Sequence, residues 1–318
     1  MVDTHFSVFI APLYKEARCA VTTSWDDGRD TDIKIAKILQ RYNIAGTFYV
    51  PVSVIDSKDY LSRKKLIDLS KRNEIASHSI SHPILNLLSD LQLKKEIFNS
   101  KKVLENILSN FILGFCYPYG VFNNRVKTVV SKAGYGFART TRNNNVSFTD
   151  DWFEFSPTLE ATLEELIVAK AKLFFDAALR LNGVWHLWGQ TSHIERHDLW
   201  GELYEILSYV TSTSKKVWYA QNQELYKYRR EIEHTMLSIL SKSSDHVACQ
   251  IKLFLNNKIF DHPITLVFKV YKKWSNAEVY VGEKRLSHSS VNQYFGVSHT
   301  KICVSLKPTS KIIVVERA

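Results

Sequence analysis

The sequence predicts an α/β protein with parallel strands wrapped by helices, followed by a small antiparallel all-β region. Three observations carry this. Strand-like and helix-like segments alternate some seven times up to about residue 242, a pattern that builds a barrel or an open parallel sheet. From about residue 247 the helical periodicity stops and two-residue alternation with β-branched runs takes over. The polar clusters of the first part all follow directly on predicted strands, which is where parallel α/β folds build their sites.

The elements follow in order. Cys19-Ala20-Val21-Thr22-Thr23 is small, apolar and β-branched and reads as a buried strand that delivers Asp26 and Asp27 to a turn at Gly28. Asp30 or Thr31 caps a helix to about Tyr42, with Ile33, Ile35, Ala36, Ile38 and Leu39 as its apolar stripe. Ile44 to Val50 is a second strand, stopped by Pro51, and residues 64–72 form a short helix. Glu74 to Ser77 is a third strand running into His78-Ser79-Ile80-Ser81-His82-Pro83, and a long amphipathic helix covers about 91–108. Phe111 to Phe115 is a fourth strand ending in Cys116-Tyr117-Pro118-Tyr119-Gly120; 126–133 is helical, and Tyr135 to Ala138 is a fifth strand ending at Arg139. Residues 162–181 are rich in helix formers, Val184-Trp185 precedes His186-Leu187-Trp188-Gly189, and 199–209 is helical. Lys216 to Tyr219 is a last short strand and Glu224 to about Lys242 a last helix. The β segments beyond are 247–255, 264–271, 277–281, 301–306 and 311–315. The expected division is therefore an α/β domain over 1–242 and a β-sandwich-like accessory domain over 243–318.

Composition bounds the function. At 318 residues, 45% hydrophobic and 23% charged, the chain is an ordinary globular protein with room for one large and one small domain. Cys19, Cys116, Cys249 and Cys303 lie far apart, so neither a zinc ribbon nor a disulfide framework is expected, and free thiols are. There is no basic start followed by a long apolar run, so no secretory signal or transmembrane segment is read, and the expected location is cytoplasmic. The net charge of +10 is spread out, and its densest clusters, Arg63-Lys64-Lys65 and Lys227 to Arg230, read as solvated helix faces. No nucleic-acid motif accompanies them.

The chemistry-bearing residues come in a suggestive order. Adjacent strand residues point to opposite faces, so Asp26 and Asp27 are expected to do different jobs, one on a metal and one on a proton; a polar turn with a helix cap is the plain alternative. His78 and His82 are four apart, which on a helix or tight loop puts both imidazoles on one side. Two histidines and a carboxylate make a facial set around a divalent cation with positions left open.

The run T-x-x-W-D-D-G, then S-H-S-I-S-H-P, then F-C-Y-P-Y-G, then W-H-L-W-G resembles the NodB-type polysaccharide deacetylases, carbohydrate esterase family four, over roughly residues 15–235. The resemblance implies a distorted (β/α) barrel of about seven strands and a single divalent metal, usually zinc, held by Asp27, His78 and His82. It implies Asp26 as catalytic base and His186 as general acid. Pro118 and Tyr119 would shape the groove, with the Tyr119 N–H helping the oxyanion. The substrate would be an N-acetylated carbohydrate. Cys116 stands where the family commonly has an arginine that holds the base; Arg139, at the next strand end, is the candidate for that job, with a solvent-facing arginine as the alternative. Asp151-Trp152 resembles the fourth motif. Trp188 suits a sugar face or the core, and His193 and Glu195 the groove or a surface loop. Two further readings are a hydrolase of a non-sugar amide bond and a carbohydrate-binding protein without turnover. The β region is expected to bind glycan through Trp274, Tyr280 and Tyr294, to mediate oligomerisation, or to form a packed core.

Overall fold

A computed structural model describes residues 6–164, 167–213, 215–270, 277–287, 291–295, 300–307 and 311–317. Two compact units emerge: Arg18–Tyr226, and the residues before Arg18 together with those after Tyr226.

The first unit is built on one all-parallel sheet. Its path runs Phe137–Arg139, Gly114–Cys116, Glu74–Ser77, Thr47–Val50, Cys19–Asp26, Val184–Gly189 and Leu159–Glu160, with Val217–Tyr219 also pairing with Cys19–Asp26. The sheet curls into the expected distorted barrel. The extended run from Phe155 closes it: the Phe155 N–H donates to the Ala138 carbonyl, and the Thr158 N–H to the His186 carbonyl. One short stretch, which runs on into Leu159–Glu160, thus bonds to the strand at one end of the path and to the strand next to the other end.

Each strand is short and apolar because both of its faces are covered, as a parallel sheet requires. Cys19–Asp26 is buried at every position. The helix Asp32–Arg41 buries Ile35, Ile38 and Leu39 against it. The helix Asp90–Leu108 starts at a capping box of Ser89 and Gln92 and buries Leu93, Ile97 and Leu104. Val168–Leu181 buries Ala171, Phe175, Ala178 and Leu179. Thr31 precedes the first helix but makes no side-chain cap; its hydroxyl lies 2.6 Å from Thr191 Oγ1 instead.

The second unit holds two antiparallel sheets. One orders Phe6–Ile10, Ile264–Val270, Thr300–Leu306 and Val291–Phe295; the other orders Thr235–Lys242, His246–Leu253, Lys311–Arg317, Ala277–Val281 and Lys284–Arg285. Val247, Cys249 and Ile251 alternate inward, with Ile313, Val315 and Val279 buried on neighbouring strands. Tyr280 hydrogen-bonds Glu278 and Tyr294 is partly exposed; Trp274 lies outside the described residues. All four cysteines are free and buried. No helix among the described residues is long and apolar enough to cross a membrane.

Two elements differ from expectation. The last helix is Asn222–Glu233, and Thr235–Lys242 is a strand paired from Thr235↔Leu253 to Lys242↔Val247. Leu237 and Ile239 satisfy a two-residue period while Met236, Ile239 and Leu240 satisfy a helical one, and the hairpin partner decides between them. Phe6–Ile10 also pairs with Ile264–Val270, so strands at both 6–10 and 235–242 join the second unit rather than a 1–242 domain.

The turn Pro118–Gly120 places a pocket wall and depends on left-handed backbone at Tyr119 (φ 58°) and Gly120 (φ 68°). A Cβ on Gly120 would lie 2.0 Å from Thr141 Oγ1 and 2.9 Å from Thr141 Cβ. Gly120→Ala is expected to cost roughly 1–3 kcal/mol in urea unfolding followed by tryptophan fluorescence; a cost below about 0.5 kcal/mol, the range of an ordinary surface change, would refute the clash.

Candidate active site

The strand Cys19–Asp26 ends where Asp27 turns into left-handed backbone at φ 80°, followed by Gly28 at φ 65°. A Cβ on Gly28 would meet Val50 Cγ1 at 2.9 Å, so the turn needs glycine for space as well as for φ. The break releases Asp27 from strict alternation. Both carboxylates remain in one neighbourhood with different partners: Asp27 with His78 and His82, Asp26 with His78 and Cys116.

His78 follows directly on Glu74–Ser77 and is buried. Its Nδ1 lies 2.9 Å from the Cys116 carbonyl, which can only accept, so Nδ1 carries the proton and Nε2 is left as a lone pair. The segment to His82 is a tight loop: Ser79 and His82 are left-handed at φ 66° and 58°, and the His82 N–H donates to Ser79 Oγ at 3.0 Å. This brings the two Nε2 atoms to 3.0 Å from each other and each to 3.8 Å from Asp27 Oδ1. Burial, reinforced by the Asp26 carboxylate, pushes Asp27 up to about 6. Burial pushes His78 down to about 4 and lowers His82. Two imidazole nitrogens facing each other beside a crowded carboxylate, one of them held as a bare lone pair by its own ring hydrogen bond, make a donor set that fits a divalent cation.

Asp26 is almost fully buried and Arg139 wholly so, and the guanidinium donates to Asp26 Oδ2. The same Arg139 nitrogen lies 2.8 Å from Cys116 Sγ. Cys116 and Arg139 are register partners on adjacent strands, so they face the same way and the small thiol leaves the room that the guanidinium fills. Arg139 also stacks over the Trp188 ring at 4.2 Å and the Tyr49 ring at 5.3 Å.

A pocket of about 340 Å³ opens over this cluster, lined by Asp26, His78, His82, Tyr117, Tyr119, Gly120, Thr141, Glu160, Trp188 and Gln190. Tyr119 is 62% exposed, its ring edge-on to His82 at 4.5 Å. Pro118 is buried in the turn beneath it. Trp188 is held by its Nε1–H to Asn143 Oδ1 at 2.8 Å.

His186 departs from its expected role. The strand does not stop before the motif but runs Val184–Gly189. Alternation then puts His186 on the same face as Trp188, two residues deeper in the barrel. It is 0% exposed, its Nε2 lies 2.9 Å from Ser24 Oγ, and its ring stacks on Phe155 at 5.0 Å. It does not line the pocket. Burial, aided by Arg139, holds its pKa well below the ordinary value, so the ring is neutral and poorly placed to hand over a proton. Asp151 caps the turn at Trp152 and pairs with Lys127 at 2.7 Å. Glu195 pairs with Lys34 at 2.8 Å. Neither these residues nor His193 line the pocket.

Sequence reading missed Thr141, Glu160 and Gln190. All three sit at or just after strand ends, so the rule that pointed to the histidines could have found them; they lacked a motif to draw attention.

Fold and site together define a class: a curled parallel α/β barrel with a carboxylate–dihistidine cluster at its strand C-terminal ends. Residues 15–138 match the model of the polysaccharide deacetylase family. YxkH of Bacillus subtilis, a polysaccharide deacetylase by name, is 27% identical over 129 residues, 40% of this chain and 46% of the relative. A peptidoglycan-N-acetylglucosamine deacetylase of Bacillus cereus is 26% identical over 117 residues, 36% of this chain and 53% of the relative. The match spans about half the length of these curated relatives. A crystal structure from Mycobacterium smegmatis, described as a polysaccharide deacetylase, shares the fold with a TM-score of 0.52 and 16% identity over 70% of this chain and 94% of that one.

Two predictions follow from the electrostatics. Arg139→Met strands the Asp26 carboxylate in the barrel and is expected to cost about 3–5 kcal/mol; a loss under about 1 kcal/mol, the size of an exposed pair, would mean the pair is not desolvated. As pH falls through about 6, Asp27 takes up a proton that a cation must displace, whereas His78, at about 4, is bare over that range. Zinc affinity should therefore fall from pH 7 to pH 5. Calorimetric titration with zinc at the two pH values reads this; equal affinity at both would contradict it.

Proposed function

We propose that this protein is a cation-dependent hydrolase of a carbon–nitrogen amide bond that removes the acetyl group from an N-acetylated amino sugar in a glycan or glycan precursor. The observation that supports the reading is one pocket lined by His78 and His82 of the Asp27–His78–His82 donor set and by Asp26 of the buried Asp26–Arg139 pair. The name of the Bacillus cereus relative supports N-acetylglucosamine as the sugar.

Asp27, His78 and His82 would hold one divalent cation, with zinc favoured by its preference for imidazole and carboxylate. Such a cation, when bound, supplies Lewis acidity that acidifies a water and polarises an acyl carbonyl. Asp26 takes the proton of the attacking water as its O–C bond forms. Arg139 holds that carboxylate still, so no reorganisation is needed during the step. The Tyr119 backbone N–H, on the turn that Pro118 begins, serves the oxyanion. Trp188 and Tyr119 offer ring surface on which a sugar ring packs.

A second reading, a carbohydrate-binding protein without turnover, is favoured by the withdrawal of His186 from the pocket. The Asp26–Arg139 pair speaks against it, because binding a sugar needs no desolvated carboxylate beside the cation donors. Acetate release from an N-acetylglucosamine oligomer separates the two, and a cyclic amide assayed in parallel tests the non-sugar alternative. Asp26→Asn is expected to lower turnover by about 100- to 10,000-fold while zinc still binds. Loss of zinc binding along with turnover would mean that the two aspartates have been assigned the wrong way round.

A further inference from the structure

We propose that one face of the first unit docks on an anionic phospholipid bilayer and holds the pocket mouth at its surface. The docking stands on geometry and charge and does not need the amide-hydrolase reading above.

The two most exposed large apolar side chains among the described residues are Leu87 and Leu91, each 80% exposed. They lie four apart on the segment that leaves His82, and Ile84, between the histidine and this pair, is exposed as well. Single surface leucines need no explanation, but a run of exposed apolar residues beside a pocket mouth marks a contact surface. Leu87 does not stand out because its loop is slack. Leu85 before it is buried, and Leu88 after it packs on the core. Arg125 Nη2 donates to the Asn86 carbonyl at 3.1 Å and the Leu88 carbonyl at 2.9 Å, one on each side of Leu87, and Arg125 Nη1 donates to Asp90 at 2.7 Å. The turn Leu85–Leu87 therefore presents its last leucine outward from a fixed backbone.

Charge identifies the occupant. On the helix Asp90–Leu108, Lys94, Lys95, Phe98 and Lys102 follow Leu91 by three, four, seven and eleven residues, which puts them on one side of the helix. Phe98 is exposed. The three lysines are exposed too and, among the described residues, make no ion pair. The acidic residues of this helix are engaged elsewhere: Asp90 by Arg125, Glu96 by the Ile80 and Ser81 N–H groups, and Glu105 by Lys101. An apolar protein groove would leave three cations unanswered, and a sugar packs on aromatic rings rather than on leucines. An anionic bilayer answers both features: the leucines and Phe98 enter the acyl boundary while the lysines meet the phosphates. Leu87 lies five residues past His82, so docking brings the pocket to the headgroups. An amino sugar carried on a lipid would meet it there, a consequence that does rest on the hydrolase reading.

Co-sedimentation of the full chain with vesicles tests the docking. One set is phosphatidylcholine alone, the other phosphatidylcholine and phosphatidylglycerol in equal parts. The expected outcome is binding at least about tenfold tighter to the anionic vesicles, weakened in about 0.5 M salt. Leu87→Asp should weaken it at least about tenfold, and the triple change Lys94→Gln, Lys95→Gln and Lys102→Gln by about as much. All these positions are exposed, so the urea midpoint should not move; Leu91→Asp repeats the test at a second site if Leu87→Asp does not fold. Equal affinity for both vesicle types would overturn the proposal, as would variants that bind like the unaltered chain. A lipid-free dimer that Leu87→Asp breaks in sedimentation velocity would overturn it in favour of a second copy on this face. Vesicle binding without acetate release from an N-acetylglucosamine oligomer keeps the docking and removes the hydrolase reading; acetate release without vesicle binding does the reverse.

Discussion

A carboxylate shut inside the mouth of a parallel barrel is stable only if a cation goes in with it, and here that cation is Arg139. The guanidinium arrives from the strand beside Cys116, in register with it, and lies over the Trp188 and Tyr49 rings. Cys116 therefore serves twice. Its small side chain leaves volume for Arg139, and its carbonyl fixes the His78 ring. Four strands contribute Asp26, Cys116, Arg139 and Trp188 to this one layer, so the position of the carboxylate is set by the sheet rather than by a loop. Desolvation makes such a pair worth little as net stability and costly to break, which suits a group that must keep its place.

Much of the barrel was legible because its signals are local. Val, Ile and Phe runs bounded by Gly and Pro marked the strands, and the three-to-four periodicity of Ile35, Ile38 and Leu39 marked the first helix. Asp27, His78 and His82 were legible for a different reason: each follows a strand end, and their residue types agree on one chemistry. What joins them in space is left-handed backbone at Asp27, Ser79 and His82, which no periodicity reports.

The failures are equally physical. Setting Val184-Trp185 apart from His186 stops four residues short of the strand end at Gly189 and hides that His186 lies within the strand. With Val184–Gly189 as one strand, alternation alone consigns that histidine to the layer below Trp188. Thr235–Lys242 was misread because its apolar residues fit two periods, and only the partner strand His246–Leu253 resolves them. The division of the chain was misread for a related reason: nothing in Phe6–Ile10 says that its partner lies at Ile264–Val270.

That last pairing carries a cost during synthesis. Ile10 is bonded across from Leu266, about 250 residues later, so a ribosome adding roughly 5–20 residues each second exposes an apolar edge for many seconds before its mate emerges. The parallel sheet, whose members all lie between those two segments, can condense in the interval. Phe6–Ile10 thus waits long for its mate and needs protection meanwhile from pairing with a neighbouring chain.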